Sequence, residues 1–81
     1  MYAIAGTTTT LNCALQGTAY EWQHFVNSAW STLQQGAKYD NVNTALLTIY
    51  NVELNDVGNY RCKVGLEEQY IYLNVKGKSR R

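Results

Sequence analysis

Few side chains in this sequence could carry chemistry, and they lie far apart. His24 is the single histidine, and Cys13 and Cys62 are the two cysteines. Glu67 and Glu68 are adjacent, so on a strand they would point to opposite faces and in a loop they would splay. Neither arrangement makes a general acid–base pair. Asp40, Glu53 and Asp56 offer oxygen donors, but not at the ordered spacing of a calcium loop. One histidine with two distant cysteines is no zinc set. No serine sits in a nucleophile-elbow pattern, and no phosphate-binding or dinucleotide fingerprint occurs. His24 falls at an inward or rim position of a strand, where a structural role fits. The inventory points away from an enzyme, and it implies no cofactor and no metal.

The cysteines have a different use. Eighty-one residues make one small domain, and a chain of this size buries only about 60% of its unfolded surface. Such a core gains from a staple. Cys13 and Cys62 stand 49 residues apart, and a disulfide closing that loop would stabilise by roughly 4 kcal/mol in the chain-entropy description. A disulfide would place the domain in an oxidising compartment. The other reading is two buried thiols in a reducing one.

Charge narrows the partners. The net charge is +1, which leaves no footprint for nucleic acid. The basic run at residues 76–81 reads as a linker or tail. No apolar run is long enough for a membrane span, so no direct membrane insertion is expected. The strand pattern begins almost at Met1, which reads as one domain of a longer parent protein with neighbouring domains. No N-x-S/T site occurs, so no glycan is expected to mask a face.

The patterning is all-β. Threonine, valine, isoleucine and seven tyrosines favour strands, and there is no proline. Edge protection must therefore come from charge, bulges or short strands. A short strand is expected over residues 2–5. In residues 7–15, Thr9, Leu11, Cys13 and Leu15 share one face. In residues 20–25, Tyr20, Trp22 and His24 point one way, and Glu21, Gln23 and Phe25 the other. Asn27-Ser28 marks a turn, and residues 29–33 a short strand. Lys38 and Tyr39 open another. Ala45, Leu47 and Ile49 form an inward set closed by Val52. Tyr60, Cys62 and Val64 point inward on the next strand. Residues 65–69 read as a short loop carrying Glu67 and Glu68. The last strand spans residues 70–75, with Ile71, Leu73 and Val75 inward and Tyr70, Tyr72 and Asn74 outward.

From Leu47 to Cys62 the sequence fits L-x-I-x-x-V-x-x-x-D-x-G-x-Y-x-C at every specified position. This string resembles the E–F segment of immunoglobulin-superfamily domains, and Gly6 to Cys13 (G-x-x-x-x-L-x-C) resembles their B strand. The resemblance covers residues 2–75. It implies a two-sheet Greek-key sandwich with one inter-sheet disulfide between Cys13 and Cys62. The core signature would be Trp22 on the disulfide, Leu47, Asp56, Gly58 and a tyrosine corner at Tyr60. Trp30 competes with Trp22 for the core position, but Trp22 has the better alternation around it. Asp56 usually pairs with a basic residue near the start of strand D. No arginine lies there, which leaves Lys38 as a weaker clasp. The short stretch between Trp22 and Leu47 leaves no room for a C″ strand, so an I-set or compact constant-like domain is implied.

Strand parity then lines up Tyr70 and Tyr72 on strand G, Arg61 and Lys63 on strand F, and Glu21, Gln23 and Phe25 on strand C. Trp30 joins from C′. Tyrosine, tryptophan and arginine are enriched at binding hot spots. The opposite sheet offers Thr8, Thr10, Asn12, Thr48 and Tyr50, a blander surface. Members of this superfamily often bind through the GFC face. The expected function is therefore an extracellular or cell-surface protein-recognition module of a receptor or adhesion molecule. Its partner would be a protein, homotypic binding included, bound through the GFC face or the end loops. The alternative is an intracellular I-set structural domain of a cytoskeletal or signalling protein, with reduced cysteines.

Overall fold

The computed structural model describes residues 1–77. Its eight strands, in chain order, are β1 (Tyr2–Ile4), β2 (Thr9–Asn12), β3 (Glu21–Val26), β4 (Ala29–Thr32), β5 (Tyr39–Asp40), β6 (Leu46–Ile49), β7 (Gly58–Val64) and β8 (Glu67–Lys76). They form a five-stranded sheet ordered β1-β8-β7-β3-β4 and a three-stranded sheet ordered β2-β6-β5. The last strand runs through Lys76, the first residue of the expected basic tail. Residues 78–81, the rest of that segment, lie outside the described residues.

The alternation read in the sequence is what the two sheets bury between them. Leu11, Trp22, Leu47, Ile49, Tyr60, Cys62 and Leu73 are fully buried, with Cys13, Val52 and Val75 around them. The Cys13–Cys62 disulfide joins β7 to the residue just after β2, with the two Cα atoms 6.2 Å apart. Trp22 stands opposite Cys62 in the β3–β7 register. Its indole Nε1–H donates to the Thr44 carbonyl at 2.8 Å, so the buried ring leaves no orphan donor. Trp22 is thus the core tryptophan, and Trp30 lies at the surface.

Two hairpins set the register of the larger sheet. Asn27 and Ser28 have φ of 52° and 65°, and Val26 pairs with Ala29 across them. Positive φ at both central residues is the type I′ pattern, whose twist matches the flanking strands. Gly65 has φ of 61° between paired Val64 and Glu67, the type II′ placement of glycine. This corrects one expectation. Residues 65–69 are not a loop: the turn needs only Gly65 and Leu66, and Glu67 and Glu68 belong to β8. β1 lies parallel to β8, with Tyr2 opposite Asn74.

A 3-10 turn, Leu54–Asp56, leads into β7. Asp56 is buried, and its Oδ2 accepts from the Glu53 backbone N–H at 2.8 Å and from Lys38 Nζ at 2.7 Å. Lys38 also donates to the Asn51 carbonyl at 3.1 Å. Lysine therefore makes the clasp that related domains give to arginine. The Tyr60 hydroxyl donates to the Asp56 carbonyl at 2.6 Å, closing the tyrosine corner. Gly58 is required twice. Its φ of 141° is closed to side chains, and a Cβ there would stand 3.1 Å from His24 Nε2.

Replacing Lys38 with methionine leaves a buried carboxylate without its cation. The expected loss is about 1.5–3 kcal/mol in urea unfolding. Lys38→Arg should keep most of the stability. If Lys38→Met were neutral, the clasp would contribute nothing.

Candidate functional site: the outer face of the five-stranded sheet

The registers place the expected surface residues in rows across the sheet. Thr32, Gln23, Arg61 and Tyr70 stand side by side on β4, β3, β7 and β8. Glu21, Lys63 and Glu68 form a second row, and Phe25 stands opposite Trp30 in a third. Tyr72 faces Asn59.

At the centre, Arg61 lies over the Trp30 ring, its guanidinium carbon 4.2 Å from the ring centroid. Phe25 packs edge-on against Trp30 at 5.1 Å between centroids, and Tyr70 does so from the other side at 5.7 Å. The arginine side chain is only 16% exposed. A cation held over an indole contributes from about 0.5 kcal/mol in water to 2 or more when desolvated, and this one lies toward the dry end. Arg61 Nε donates to Gln23 Oε1 at 2.6 Å, and a terminal guanidinium nitrogen lies 3.7 Å from Glu68 Oε2.

The polar groups close into one network. Gln23 Nε2 donates to Glu21 Oε2 at 3.0 Å and to Thr32 Oγ1 at 3.1 Å, and the Thr32 hydroxyl donates to the same Glu21 oxygen at 2.9 Å. The Tyr70 hydroxyl donates to Glu68 Oε1 at 2.6 Å. That bond holds the Glu68 carboxyl below the usual range; burial opposes it, and the charges of Arg61 and Lys63 lower it further. Lys63 stands between Glu21 and Glu68 in register, so the two cations and two carboxylates of the face balance.

Exposure separates these residues. Tyr70, Tyr72 and Phe25 are exposed, and Trp30, Glu21, Lys63 and Arg61 are half-buried. Gln23 sits on the outward side as expected, but it is 9% exposed. It is wedged among Arg61, Thr32 and Glu21, so it orients the arginine and is not itself open to a partner. Three contributors were not singled out by sequence reasoning. Glu68 was assigned to a loop. Thr32 gave no signal beyond its strand. Tyr2 extends the face past β8, 64% exposed with Lys76 Nζ 4.9 Å from its ring centroid. Only the parallel β1–β8 pairing reveals that position.

Behind this face lies His24, 5% exposed, with its ring stacked on Tyr60 at 4.0 Å and 2° between planes. Its Nε2 lies 3.3 Å from the Val57 carbonyl. Burial pushes its pKa below the usual histidine value, opposed by the Val57 carbonyl and the Asp56 charge. Among the described residues, no group of three or more histidine, cysteine, aspartate or glutamate side chains could hold a metal ion. No helix among them is long and apolar enough to cross a membrane.

The sequence model of the immunoglobulin I-set domain matches residues 1–70, and the chain belongs to that family. No curated protein matches it by sequence. Solved structures share the fold at low identity. The extracellular domain of the voltage-gated sodium channel beta4 subunit superposes with a TM-score of 0.79 at 17% identity, covering 100% of this chain and 87% of that one. The N-terminal four immunoglobulin domains of Dscam1 isoform 8.4 give 0.78 at 18% identity, covering 96% of this chain and 22% of that one. The CD2-binding domain of CD58 gives 0.68 at 16% identity, covering 93% and 52%.

His24 makes stability pH-dependent with a definite sign. Its folded-state pKa is depressed, so below about pH 6.5 the unfolded chain binds a proton that the folded chain resists. Stability from this group should be complete above that pH and should fall as the pH drops toward the folded-state value. Urea midpoints between pH 7.5 and 5 should decline for the wild type and decline less for His24→Phe. Parallel declines would rule out His24 as the source.

Proposed function

We propose that this chain is an extracellular recognition domain of a cell-surface receptor or adhesion protein. It would bind a protein through the β8-β7-β3 face, widened by Trp30 from β4. The observation that carries this reading is the aromatic cluster Phe25–Trp30–Tyr70, exposed at Phe25 and Tyr70 and built around a desolvated arginine. Tryptophan, tyrosine and arginine are the residue types most enriched at interface hot spots. Arg61 is already held by Gln23, Glu68 and the Trp30 ring, so a partner can cover it without leaving its charge unpaired.

Two further points support the reading. The disulfide suits an oxidising compartment, whereas an intracellular scaffold domain would sit in a reducing one and keep its thiols reduced. Among the structural neighbours, the sodium channel beta4 domains are described as acting in cell-cell adhesion, and the CD58 domain binds CD2. On this reading the expected domain of residues 1–75, with Lys76 added as the end of β8, is one domain of a longer parent, and the rest of the basic segment is a linker or tail.

The test is a screen of this domain against displayed cell-surface ectodomains, itself included, followed by alanine substitution. Tyr70→Ala and Trp30→Ala should each weaken the captured complex by about 30-fold, the scale of a hot spot. Thr10→Ala and Thr48→Ala on the opposite sheet should change it less than about twofold. Full binding by folded Tyr70→Ala and Trp30→Ala proteins would move the site off this face.

A further inference from the structure

The outermost strand of the larger sheet has backbone groups with no partner. β4 pairs on one side with β3 and on the other with nothing among the described residues. Its phase is set by two observations. The two-residue turn couples Val26 to Ala29, and the Leu33 N–H donates to the Trp22 carbonyl at 2.9 Å. Ala29, Ser31 and Leu33 therefore direct their backbone groups toward β3. Trp30 and Thr32 direct theirs outward, because hydrogen-bonding direction alternates along an antiparallel strand.

We propose that this edge pairs, antiparallel and about a two-fold axis, with β4 of a second copy of the chain. The axis passes beside Ser31. Trp30 of each copy then faces Thr32 of the other, and the outward groups exchange roughly four backbone hydrogen bonds. The side chains fit the same axis. On the outer face, Arg61, Tyr70 and Phe25 draw the Trp30 ring toward the interior of its own sheet, so it does not block the approach of Thr32 from the other copy. On the inner side, Ser31 meets Ser31, two small residues above a cleft of about 430 Å³ lined in part by Val26, Leu33, Tyr39 and Asp56.

Charge permits the approach. Residues 25–37 contain no charged side chain and no proline. The strand thus lacks the lysine or proline that commonly protects an edge, and two copies meet without like charges. The edges of the smaller sheet fit a second copy less well. β5 is two residues long and carries Asp40 beside Lys38, which would meet their own kind across a two-fold axis. β2 turns Thr10 and Asn12 outward in the same backbone phase, but both are exposed polar side chains, with nothing for a second copy to bury. The β4 pairing would merge two five-stranded sheets and set two Trp30 clusters side by side. It needs the backbone of β4 rather than the tyrosines of the face, so it can hold where the recognition reading fails.

The test is sedimentation equilibrium of the disulfide-bonded domain over a wide concentration range, with cysteine cross-linking. Facing non-hydrogen-bonded residues have Cα atoms about 4.5 Å apart, within disulfide reach. Ser31→Cys should form a covalent dimer on mild oxidation, and Thr32→Cys should not, since its counterpart faces Trp30. Thr32→Pro removes an outward N–H without touching the β3–β4 bonds. It should weaken self-association at least tenfold, and Thr10→Ala on the opposite sheet should leave it within about twofold. A domain that stays monomeric at millimolar concentration overturns the proposal. So does a dimer indifferent to Thr32→Pro, or one cross-linked through Thr32→Cys rather than Ser31→Cys.

Discussion

The Tyr60 hydroxyl bond to the Asp56 carbonyl, 2.6 Å long and buried, fixes where β7 begins. Much else depends on that point. A strand has a period of two, so a one-residue slip of β7 would send Arg61 and Lys63 into the core and bring Cys62 out. The corner prevents the slip from one end and the disulfide from the middle. Asp56 is itself held by Lys38 and by the Glu53 amide, so the corner is anchored to the edge of the opposite sheet. β7 lies between β3 and β8, and its phase is handed to both. The outward row Thr32, Gln23, Arg61, Tyr70 is the consequence.

That row shows how a flat sheet face can be both rigid and available. Arg61 has its guanidinium on Trp30, its Nε–H on Gln23 and a neighbouring charge in Glu68. Gln23 is in turn fixed by Glu21 and Thr32. Little side-chain entropy is left to lose when a partner covers such a cluster, and what remains exposed is mainly aromatic. The inner side of the same strands is equally constrained. His24 fills the space between Tyr60 and Gly58, which is why a backbone glycine and a neutral imidazole belong together there.

Much of this was legible in the sequence because it depends on parity and local turn chemistry. The strand phases, the core set, Trp22, the tyrosine corner and the outward placement of Tyr70, Tyr72, Arg61 and Phe25 all come from alternation beside a motif of fixed spacing. What was not legible depends on long-range pairing or on neighbouring side chains. Parity put Gln23 outside, but parity knows nothing of Arg61 folding over it. Glu68 looked like a loop residue because nothing in Gly65-Leu66-Glu67-Glu68 marks so tight a turn except the first glycine. The place of Tyr2 on the face depends on a parallel pairing with β8, and local sequence does not encode which strand a terminal segment will join. Lys38 stood as a weak substitute for an arginine. In the fold it serves as an ordinary clasp, because Asp56 needs one short bond rather than a bidentate one.

The most direct test of the corner as the organising constraint is the unfolding free energy of Tyr60→Phe. That change removes one oxygen and preserves the ring stacked on His24. It leaves the Asp56 carbonyl buried without its partner, and the predicted loss is about 1–3 kcal/mol. An unchanged urea midpoint would mean that the disulfide and core packing set the phase of β7 without the corner.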